Sequence, residues 1–192
     1  MEENGDRNKM NLETVKSIPD DKIIVLDTET TGLDHRAEIL QFSAVWGNGE
    51  VAMNRYIKPS HTVRWDAAME VNGITPKKVS KCPKMPKVKK EIEELLAKAK
   101  VIVGYNLPFD VGMLEQNGVN LPSAKEVEYI DLMVPFAGIY GEWNDYFGDY
   151  KWQKLVTCAR YYGYAGTNWH DSLADTKATL YCFKRMLQEG DL

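Results

Sequence analysis

The sequence is poor in cysteine, and none of its apolar runs approaches the length needed to span a membrane. Its three cysteines, Cys82, Cys158 and Cys182, are widely spaced and form no CxxC pair. This pattern argues against a disulfide framework and against a cysteine zinc site. The polar N-terminus also lacks the apolar segment of a secretory signal peptide, so we expect a cytoplasmic protein that makes no membrane contact.

Positive charge is also in short supply. The 192 residues include 24 lysines and arginines against 28 aspartates and glutamates, which gives a formal net charge of −4. Domains that bind nucleic acid through their overall charge are usually strongly basic, so any nucleic-acid contact here has to be local. An excess of acid is, however, what a metal site lined by carboxylates contributes before its cations bind.

The length of the chain suits one well-buried domain. Hydrophobic residues make up 44% of it and charged residues 27%, which is ordinary for a soluble globular protein. Residues 1–20 are polar and show no sustained periodicity, so we predict a loose polar leader there, with a short helix near residues 12–17. The absence of an internal repeat or a second linker predicts a single domain over residues 21–192.

Hydrophobic patterning predicts five strands. Apolar runs indicate strands at 22–28, 38–46 and 51–57, and the short links between them favour an antiparallel meander. Two further short runs, at 101–105 and 128–131, enclose a helix that begins near Phe109, and this order implies a parallel crossover. We therefore expect an α/β fold: a mixed five-stranded sheet, an antiparallel meander plus parallel strands, flanked by helices.

Other helices are predicted at 65–71, from Pro86 onward, at 151–162 and at 170–188, because apolar residues recur there at three- to four-residue spacing. The helix that begins at Pro86 has a lysine-rich flank, which we interpret as a solvated face in preference to a nucleic-acid track. The lysines are Lys77, Lys78, Lys81, Lys84, Lys87, Lys89 and Lys90.

The stretch from Tyr140 to Trp152 holds six aromatic residues between the fifth strand and the next helix. Stacking on unpaired bases is one use for such a loop, and a partner surface is another. A small hydrophobic cluster beneath the loop is the interpretation we favour.

Two carboxylates follow the first apolar run. Because side chains alternate along a strand, Asp27 and Glu29 are expected on the same face. Two acids in a water-poor pocket repel each other, so such a pair either shares a proton or binds a cation. Solvated acids at the end of a strand would explain the pair equally well, and the pair alone does not decide between the two.

Two more acids and a histidine lie where helices begin. Asp110 falls in the first turn of the helix after the fourth strand, where the helix dipole favours negative charge but capping is also common. Asp175 follows His170 by five residues, a spacing of about 140° on a helix, which excludes the one-face histidine pair of zinc proteases. We expect His170 in the loop or first turn, and we interpret His35 and His61 as structural.

Three segments, in this order, resemble the three motifs of the DEDDh 3′-to-5′ exonucleases, a group that includes the proofreading epsilon subunit of bacterial replicases. They are Asp27-Thr28-Glu29-Thr30-Thr31-Gly32-Leu33, Asn106-Leu107-Pro108-Phe109-Asp110 and His170-Asp171-Ser172-Leu173-Ala174-Asp175. The resemblance extends from about Lys22 to Met186 and implies an RNase H-like fold. It also implies a metal-dependent exonuclease that releases nucleoside 5′-monophosphates from the 3′ end of single-stranded nucleic acid.

The resemblance further implies a role for each motif residue. Asp27 would bridge two Mg²⁺ or Mn²⁺ ions, and Glu29 and Asp175 would hold the ion that activates water. Asp110 would serve the second ion through water, and His170 would act as general base. Carboxylate oxygens suit these hard cations, and two ions can stabilise both the attacking and the leaving oxygen of a phosphodiester.

Substrate contacts are expected from four residues. The resemblance assigns Thr30 a contact through its backbone and Leu33 the role of an apolar wedge against the terminal base. Phe109 is expected to stack on a base, and Asn106 lies in the same motif. Ordinary turn and core positions would explain Thr30 and Leu33 equally well, and a phenylalanine at the start of a helix is more often a core residue.

The expected substrate is DNA, favoured slightly over RNA. One alternative is an exoribonuclease of the same family that trims RNA or oligoribonucleotides, and another is a catalytically inactive nucleic-acid-binding or scaffold module. The chain ends soon after its last predicted helix, without the long C-terminal segment that tethers the replicase subunit to its polymerase. We therefore expect a stand-alone enzyme, whose oligomeric state the sequence does not indicate.

Overall fold

A computed structural model describes residues 12–192. Five strands form one mixed sheet in the order β3-β2-β1-β4-β5. They are β1 (Ile23–Thr30), β2 (Ile39–Trp46), β3 (Val51–Tyr56), β4 (Val101–Gly104) and β5 (Glu128–Asp131). The first three strands pair antiparallel, and β1 pairs parallel with β4 as β4 does with β5. This confirms the predicted fold class.

Helices cover both faces of the sheet. Those of the described residues are α1 (Leu12–Ser17), α2 (Asp66–Asn72), α3 (Pro76–Val79), α4 (Met85–Leu96), α5 (Leu107–Gln116), α6 (Met133–Tyr140), α7 (Leu155–Tyr161) and α8 (Ser172–Glu189). One core cluster joins the sheet to α4 and α5, and another joins it to α1, α6, α7 and α8. None of these helices is both long and apolar enough to cross a membrane.

The alternation of side chains along β1 explains its unbroken apolar run. Ile24 and Leu26 enter the cluster beneath α4 and α5, whereas Ile23 and Val25 enter the cluster beneath α8. Both faces of the strand are therefore buried, as is typical of a central strand covered by helices on both sides. The same alternation fixes which face the acids that follow will occupy.

Several predicted boundaries need correction. The helix predicted from residue 151 begins only at Leu155, and the sequence reading missed α3 and α6. α3 has only four residues, too few to show a helical period. α6 contains Pro135 and Gly138, which are poor helix formers, and it is held by the burial of Phe136 and Ala137.

The expected short helix at the start of the described region is present as α1, and its Val15 is buried in the cluster beneath α8. Residues 1–11 of the predicted leader lie outside the described residues. The division of the chain at residue 21 stays a prediction.

The aromatic stretch differs from our expectation. Its residues form a two-stranded hairpin, β6 (Trp143–Asn144) and β7 (Asp149–Tyr150), which we call the aromatic hairpin together with the adjoining residues up to Trp152. Tyr146 is 87% exposed and Phe147 75% exposed, so the predicted buried cluster is wrong. The rings contact one another in pairs, Trp143 with Tyr150 and Tyr146 with Phe147, because a two-residue strand offers no core beneath it.

Candidate active site

The first two acids lie where β1 extends beyond its parallel neighbour. Pairing with β4 ends at Val25, whereas pairing with β2 continues past Glu29. Because Asp27 and Glu29 alternate in phase with Val25, their side chains lie on the face covered by α8. The predicted sharing of one face is therefore observed, and the face is the one from which a further acid can approach.

That acid is Asp175, in the first turn of α8. Carboxylate oxygens of Asp27, Glu29 and Asp175 all lie within 4.8 Å of one another. The backbone N–H of His170 donates to Oδ2 of Asp175 at 3.0 Å, whereas Oδ1 is buried and has no hydrogen-bond partner. One oxygen thus fixes the side chain, and the other remains free to bind a ligand.

The N-terminus of α8 is fastened to β2. Asp171 caps the helix by accepting from the backbone N–H of Ala174 at 3.1 Å, and Ser172 shares a 2.6 Å hydrogen bond with Ser43. Gln41 donates to the other carboxylate oxygen of Asp171 at 3.3 Å. Because these contacts fix the first turn of the helix, they also fix Asp175 relative to the strand.

Asp110 approaches from the opposite face of the sheet, on α5, where it is only 3% exposed. Its Oδ1 accepts from the backbone N–H of Thr28 at 2.8 Å and from the Thr28 hydroxyl at 2.7 Å. Asp110 is not one of the three acids that lie within 4.8 Å of one another. Its charge is nevertheless close enough to raise the pKa of Asp27, so the four acids form one electrostatic unit.

The pKa of every one of these acids is raised. Burial, followed by the charge of Asp175, raises the pKa of Glu29 to about 7. Burial raises the pKa of Asp175 to about 6 even though its contacts with His170 lower it. The pKa of Asp27 lies well above its usual value because of burial and the charges of Asp110 and Glu29, and burial also raises that of Asp110.

These shifts describe a site that lacks positive charge. Carboxylates that are buried together hold protons near neutral pH unless a cation replaces those protons. The ligands offered are hard carboxylate oxygens, which suit Mg²⁺ or Mn²⁺, and no cysteine joins them. The partnerless Oδ1 of Asp175 is consistent with a ligand atom. The residues therefore fit a divalent metal.

His170 lies in the loop just before α8, as predicted, and is exposed. Its φ angle of 63° is in the left-handed region, which is uncommon for a residue other than glycine. This conformation lets its N–H reach Asp175, and the positive form of its ring is close enough to lower the pKa of Asp175. The loop thus places an exposed imidazole beside the acids.

The turn before α5 depends on Asp131, which the sequence patterns did not indicate as part of the site. Asn106 has a φ of 61°, and its N–H donates to Oδ1 of Asp131 at 2.8 Å. The same oxygen accepts from the N–H of Met133 at 3.0 Å. Asp131 ends β5, so it ties together two turns beside the site and fixes the start of the helix that carries Asp110. An acid at the end of a short apolar strand was the available signal.

A cleft of about 610 Å³ opens beside Glu29. Thr30 and Leu33 line it on one side and α2 on the other, where Asn72 donates to the backbone carbonyl of Thr30 at 3.2 Å. Leu33 is 84% exposed, which fits an apolar wedge and not a core residue. The helix predicted at 65–71 stops before Asn72, and no sequence pattern indicated the place of Asn72 in the cleft.

The other two predicted substrate residues lie outside this cleft. Asn106 is exposed at the start of α5, and Phe109 is half-buried against the cluster beneath α4 and α5. The structure therefore groups Thr30 and Leu33 with Glu29, while Asn106 and Phe109 lie beside Asp110. The roles of all four stay predictions.

Comparisons with known proteins place the chain in a family. A family model described as Exonuclease (RNase_T) matches residues 24–183. An uncharacterized exonuclease of Escherichia phage 186, CP81, is 28% identical over 183 residues, covering 91% of this chain and 92% of that protein. A PolC-type DNA polymerase III of Clostridium perfringens is 28% identical over 181 residues, covering 90% of this chain but only 12% of the polymerase.

Solved structures share the fold. Exonuclease I of E. coli in complex with a dA16 oligonucleotide matches with a TM-score of 0.69 and 23% identity, covering 85% of this chain and 40% of that one. Exonuclease X in complex with 5′ overhanging duplex DNA matches with a TM-score of 0.62 and 19% identity, covering 88% and 93%. The chain thus spans less than half of several proteins that it matches, and the predicted stand-alone character and cytoplasmic location stay predictions.

Proposed function

The chain belongs to the RNase_T exonuclease family, part of the DEDD exonucleases, and from that premise we propose that it works in the 3′-to-5′ direction. Its substrate on this proposal is single-stranded nucleic acid, DNA in preference to RNA, and its products are nucleoside 5′-monophosphates. The observation that carries the proposal is the meeting of Asp27, Glu29 and Asp175 within 4.8 Å. Exonuclease I, whose fold this chain shares, has been crystallised with a single-stranded oligonucleotide.

The acids supply the metal ligands. Asp27, Glu29 and Asp175 would hold a divalent ion through their carboxylate oxygens, which have no positive charge beside them to balance their own. Thr28 donates to one oxygen of Asp110, which leaves the other oxygen available, and Asp110 would serve a second ion. When bound, such a pair of ions lowers the pKa of a water and stabilises charge on the leaving oxygen.

Proton transfer falls to His170. A neutral imidazole can accept a proton from the attacking water near neutral pH, and the exposed position of His170 lets that proton pass on to solvent. The hydrogen bond from its own N–H to Asp175 keeps the base in register with the metal ligand. Nucleophile activation and metal binding thus depend on one short loop.

The cleft beside Glu29 receives the terminal nucleotide. Leu33 presents an exposed apolar side chain at its rim, which suits packing against a base, and Thr30 presents its backbone. Phe109 and Asn106 contact the nucleic-acid strand near Asp110. Contacts to the terminal nucleotide would place the last phosphodiester over the acids, and the 3′-to-5′ polarity rests on the resemblance of the three motifs.

The test is digestion of 20-nucleotide single strands of DNA and RNA, labelled at the 5′ end, in the presence of Mg²⁺. We expect a ladder that shortens from the 3′ end and 5′-monophosphates as the only released products. Asp27→Asn and Asp175→Asn should each slow hydrolysis by on the order of 10³-fold, because a lost metal ligand removes several kcal/mol of transition-state stabilisation. Asp145→Asn, the same change on an exposed hairpin residue, is the matched control and should leave the rate unchanged.

Hydrolysis at the wild-type rate in both site variants contradicts the assignment. Release of the labelled 5′ nucleotide before the strands shorten from the 3′ end contradicts the polarity. Faster shortening of RNA than of DNA favours the RNA-trimming alternative, and tight binding without any shortening favours the inactive module.

A further inference from the structure

Charge is strongly segregated along this chain. Residues 71–90 contain seven lysines and no acidic residue, while the whole chain carries −4, so the remaining residues carry −11. Six exposed lysines belong to α3, to the start of α4 with the residues before it, and to the segment after β3, which are adjacent because the backbone N–H of Lys58 donates to the carbonyl of Pro83 and brings Lys58 beside Lys84. We call this the lysine surface; its residues are Lys58, Lys77, Lys78, Lys81, Lys84 and Lys87.

The lysine surface has no internal charge compensation. Further along α4, Lys89 and Lys90 pair with Glu93 and Glu94. Within residues 12–192, by contrast, none of the six lysines forms an ion pair. A lysine-covered helix that serves only solubility usually alternates its charges, as the later turns of α4 do.

Helix polarity makes this arrangement more unfavourable. α4 begins within the surface and has no acidic residue in its first turn. Lys84 lies at the N-cap of α4 with no side-chain cap, and Lys87 follows in the first turn. Positive side chains at the positive end of a helix dipole are destabilising, and an external anion relieves that repulsion.

The surface is continuous with the active site. α2 lines the cleft beside Glu29, and α3 follows it after three residues. The amine of Lys78 lies 4.2 Å from the centre of the Tyr56 ring, and the Tyr56 hydroxyl donates to Asp171 at 3.3 Å. Asp171 adjoins His170, so a single aromatic side chain separates the lysine surface from the catalytic loop.

We propose that the lysine surface binds the sugar–phosphate backbone of the single strand whose 3′ end occupies the active site; this rests on the function proposed above. Unpaired lysines attract a polyanion. The rest of the chain is acidic and repels the nucleic-acid strand from other parts of the protein surface. From the sequence we favoured a solvated face. That interpretation accounts neither for the lack of acidic residues in residues 71–90 nor for the position of the lysine surface beside the cleft. Because such contacts read neither base nor sugar, DNA and RNA bind the surface alike.

Binding is measured by fluorescence anisotropy of labelled 20-nucleotide single strands of DNA and RNA in chelator, so that no hydrolysis occurs, between 50 and 300 mM NaCl. The test variant carries Lys77→Gln, Lys81→Gln and Lys84→Gln. The loss of three phosphate contacts should lower the slope of log affinity against log salt by about 2 and weaken binding at 50 mM by on the order of tenfold. Both nucleic acids should show the same loss.

The matched control carries Lys98→Gln, Lys100→Gln and Lys125→Gln, three exposed lysines near the starts of β4 and β5, at the edge of the sheet opposite the active site. It has the same change in net charge and should keep the wild-type slope. Thermal unfolding of the test variant should occur at an unchanged or higher temperature, because repulsion near the N-terminus of α4 is reduced. An equal loss of slope in both variants, or no loss in either, overturns the proposal.

Hydrolysis separates this proposal from the one on which it rests. With Mg²⁺, the test variant should cleave a dinucleotide at the wild-type kcat/KM but show a raised KM for the 20-nucleotide strand. Slower dinucleotide cleavage means that the lysines act in the active site and overturns the backbone role. Stronger binding to vesicles of anionic lipid than to the 20-nucleotide strand also overturns it. A wild-type protein that binds the strand with the expected slope yet cleaves neither substrate refutes the catalytic proposal alone.

Discussion

The acid cluster at the end of β1 and the aromatic hairpin depart from ordinary residue placement in opposite directions. Among residues 12–192, Asp110 and Asp175 are buried carboxylates that form no salt bridge, whereas Tyr146 and Phe147 are large rings left mostly in water. Acids are almost never fully buried unless paired, and exposed apolar patches usually mark contact sites. Both regions therefore have features that folding alone does not explain.

The two regions differ in how firmly the rest of the molecule holds them. Elements from both faces of the sheet fix the acids, through the hydrogen bonds of Thr28 to Asp110 and of His170 to Asp175. The hairpin is joined to the body mainly near its base, where the Tyr105 hydroxyl donates to the backbone carbonyl of Gln153 at 2.8 Å. Packing and hydrogen bonds from both faces of the sheet therefore hold the acids in place, whereas no such framework surrounds the exposed rings.

The largest expected effect separates rings inside the framework from rings outside it. Phe136 on α6 is fully buried and contacts three other rings, so Phe136→Ala should cost about 3–5 kcal/mol of unfolding free energy. Tyr146→Ala should change it by no more than about 0.5 kcal/mol. Denaturant unfolding measures both. A loss at Tyr146 comparable to that at Phe136 would show that the hairpin is part of the core.

A smaller effect of opposite sign is expected among the acids. In chelator at pH 8, Asp27→Asn removes a half-buried carboxyl group whose ionisation is opposed by the charges of Asp110 and Glu29, so it should raise the unfolding free energy by on the order of 1 kcal/mol. The same substitution in the hairpin, Asp145→Asn, should change it by less than about 0.5 kcal/mol. Destabilisation by Asp27→Asn in chelator would mean that the acids are already satisfied without a cation. Added Mg²⁺ should stabilise the wild type but not Asp27→Asn.

The last expected effect is a dependence of stability on pH. Glu29 and Asp175 ordinarily have pKa values of 4.5 and 3.8, and in the folded protein these rise to about 7 and about 6. The folded state therefore binds more protons than the unfolded chain between about pH 4 and pH 7, and stability in chelator should fall as pH rises through this window. Melting temperatures at pH 4.5, 6 and 8 measure the slope. Glu29→Gln should flatten the slope, while Glu94→Gln, on an exposed surface pair, should not.

Much of the fold followed from local patterns. Apolar runs predicted all five strands of the sheet, and the short links predicted the meander, because burial on both faces requires continuous hydrophobic sequence. α6 was missed because its Pro135 and Gly138 obscure the helical pattern, and packing of Phe136 decides the conformation. The exposure of the aromatic hairpin was also missed, because no local pattern shows whether a core lies beneath a loop.

The sequence predicted which residues form the site but not which residues hold them in position. Each motif residue belongs to a short segment whose spacing is visible in the sequence. Asn72 and Asp131 belong to none of those segments, yet they contact the backbone of Thr30 and Asn106 through hydrogen bonds between distant parts of the chain. Such partners are selected by geometry, which a linear pattern does not contain.

By itself the sequence determined which acids stand at the ends of which elements, because strand alternation and helix starts are local properties. Only the tertiary structure decided that Asp27, Glu29 and Asp175 meet within 4.8 Å, while Asp110 joins them from the other face through Thr28. Burial removes the water that would otherwise screen these negative charges from one another. A site in need of positive charge arises only when the elements close around it.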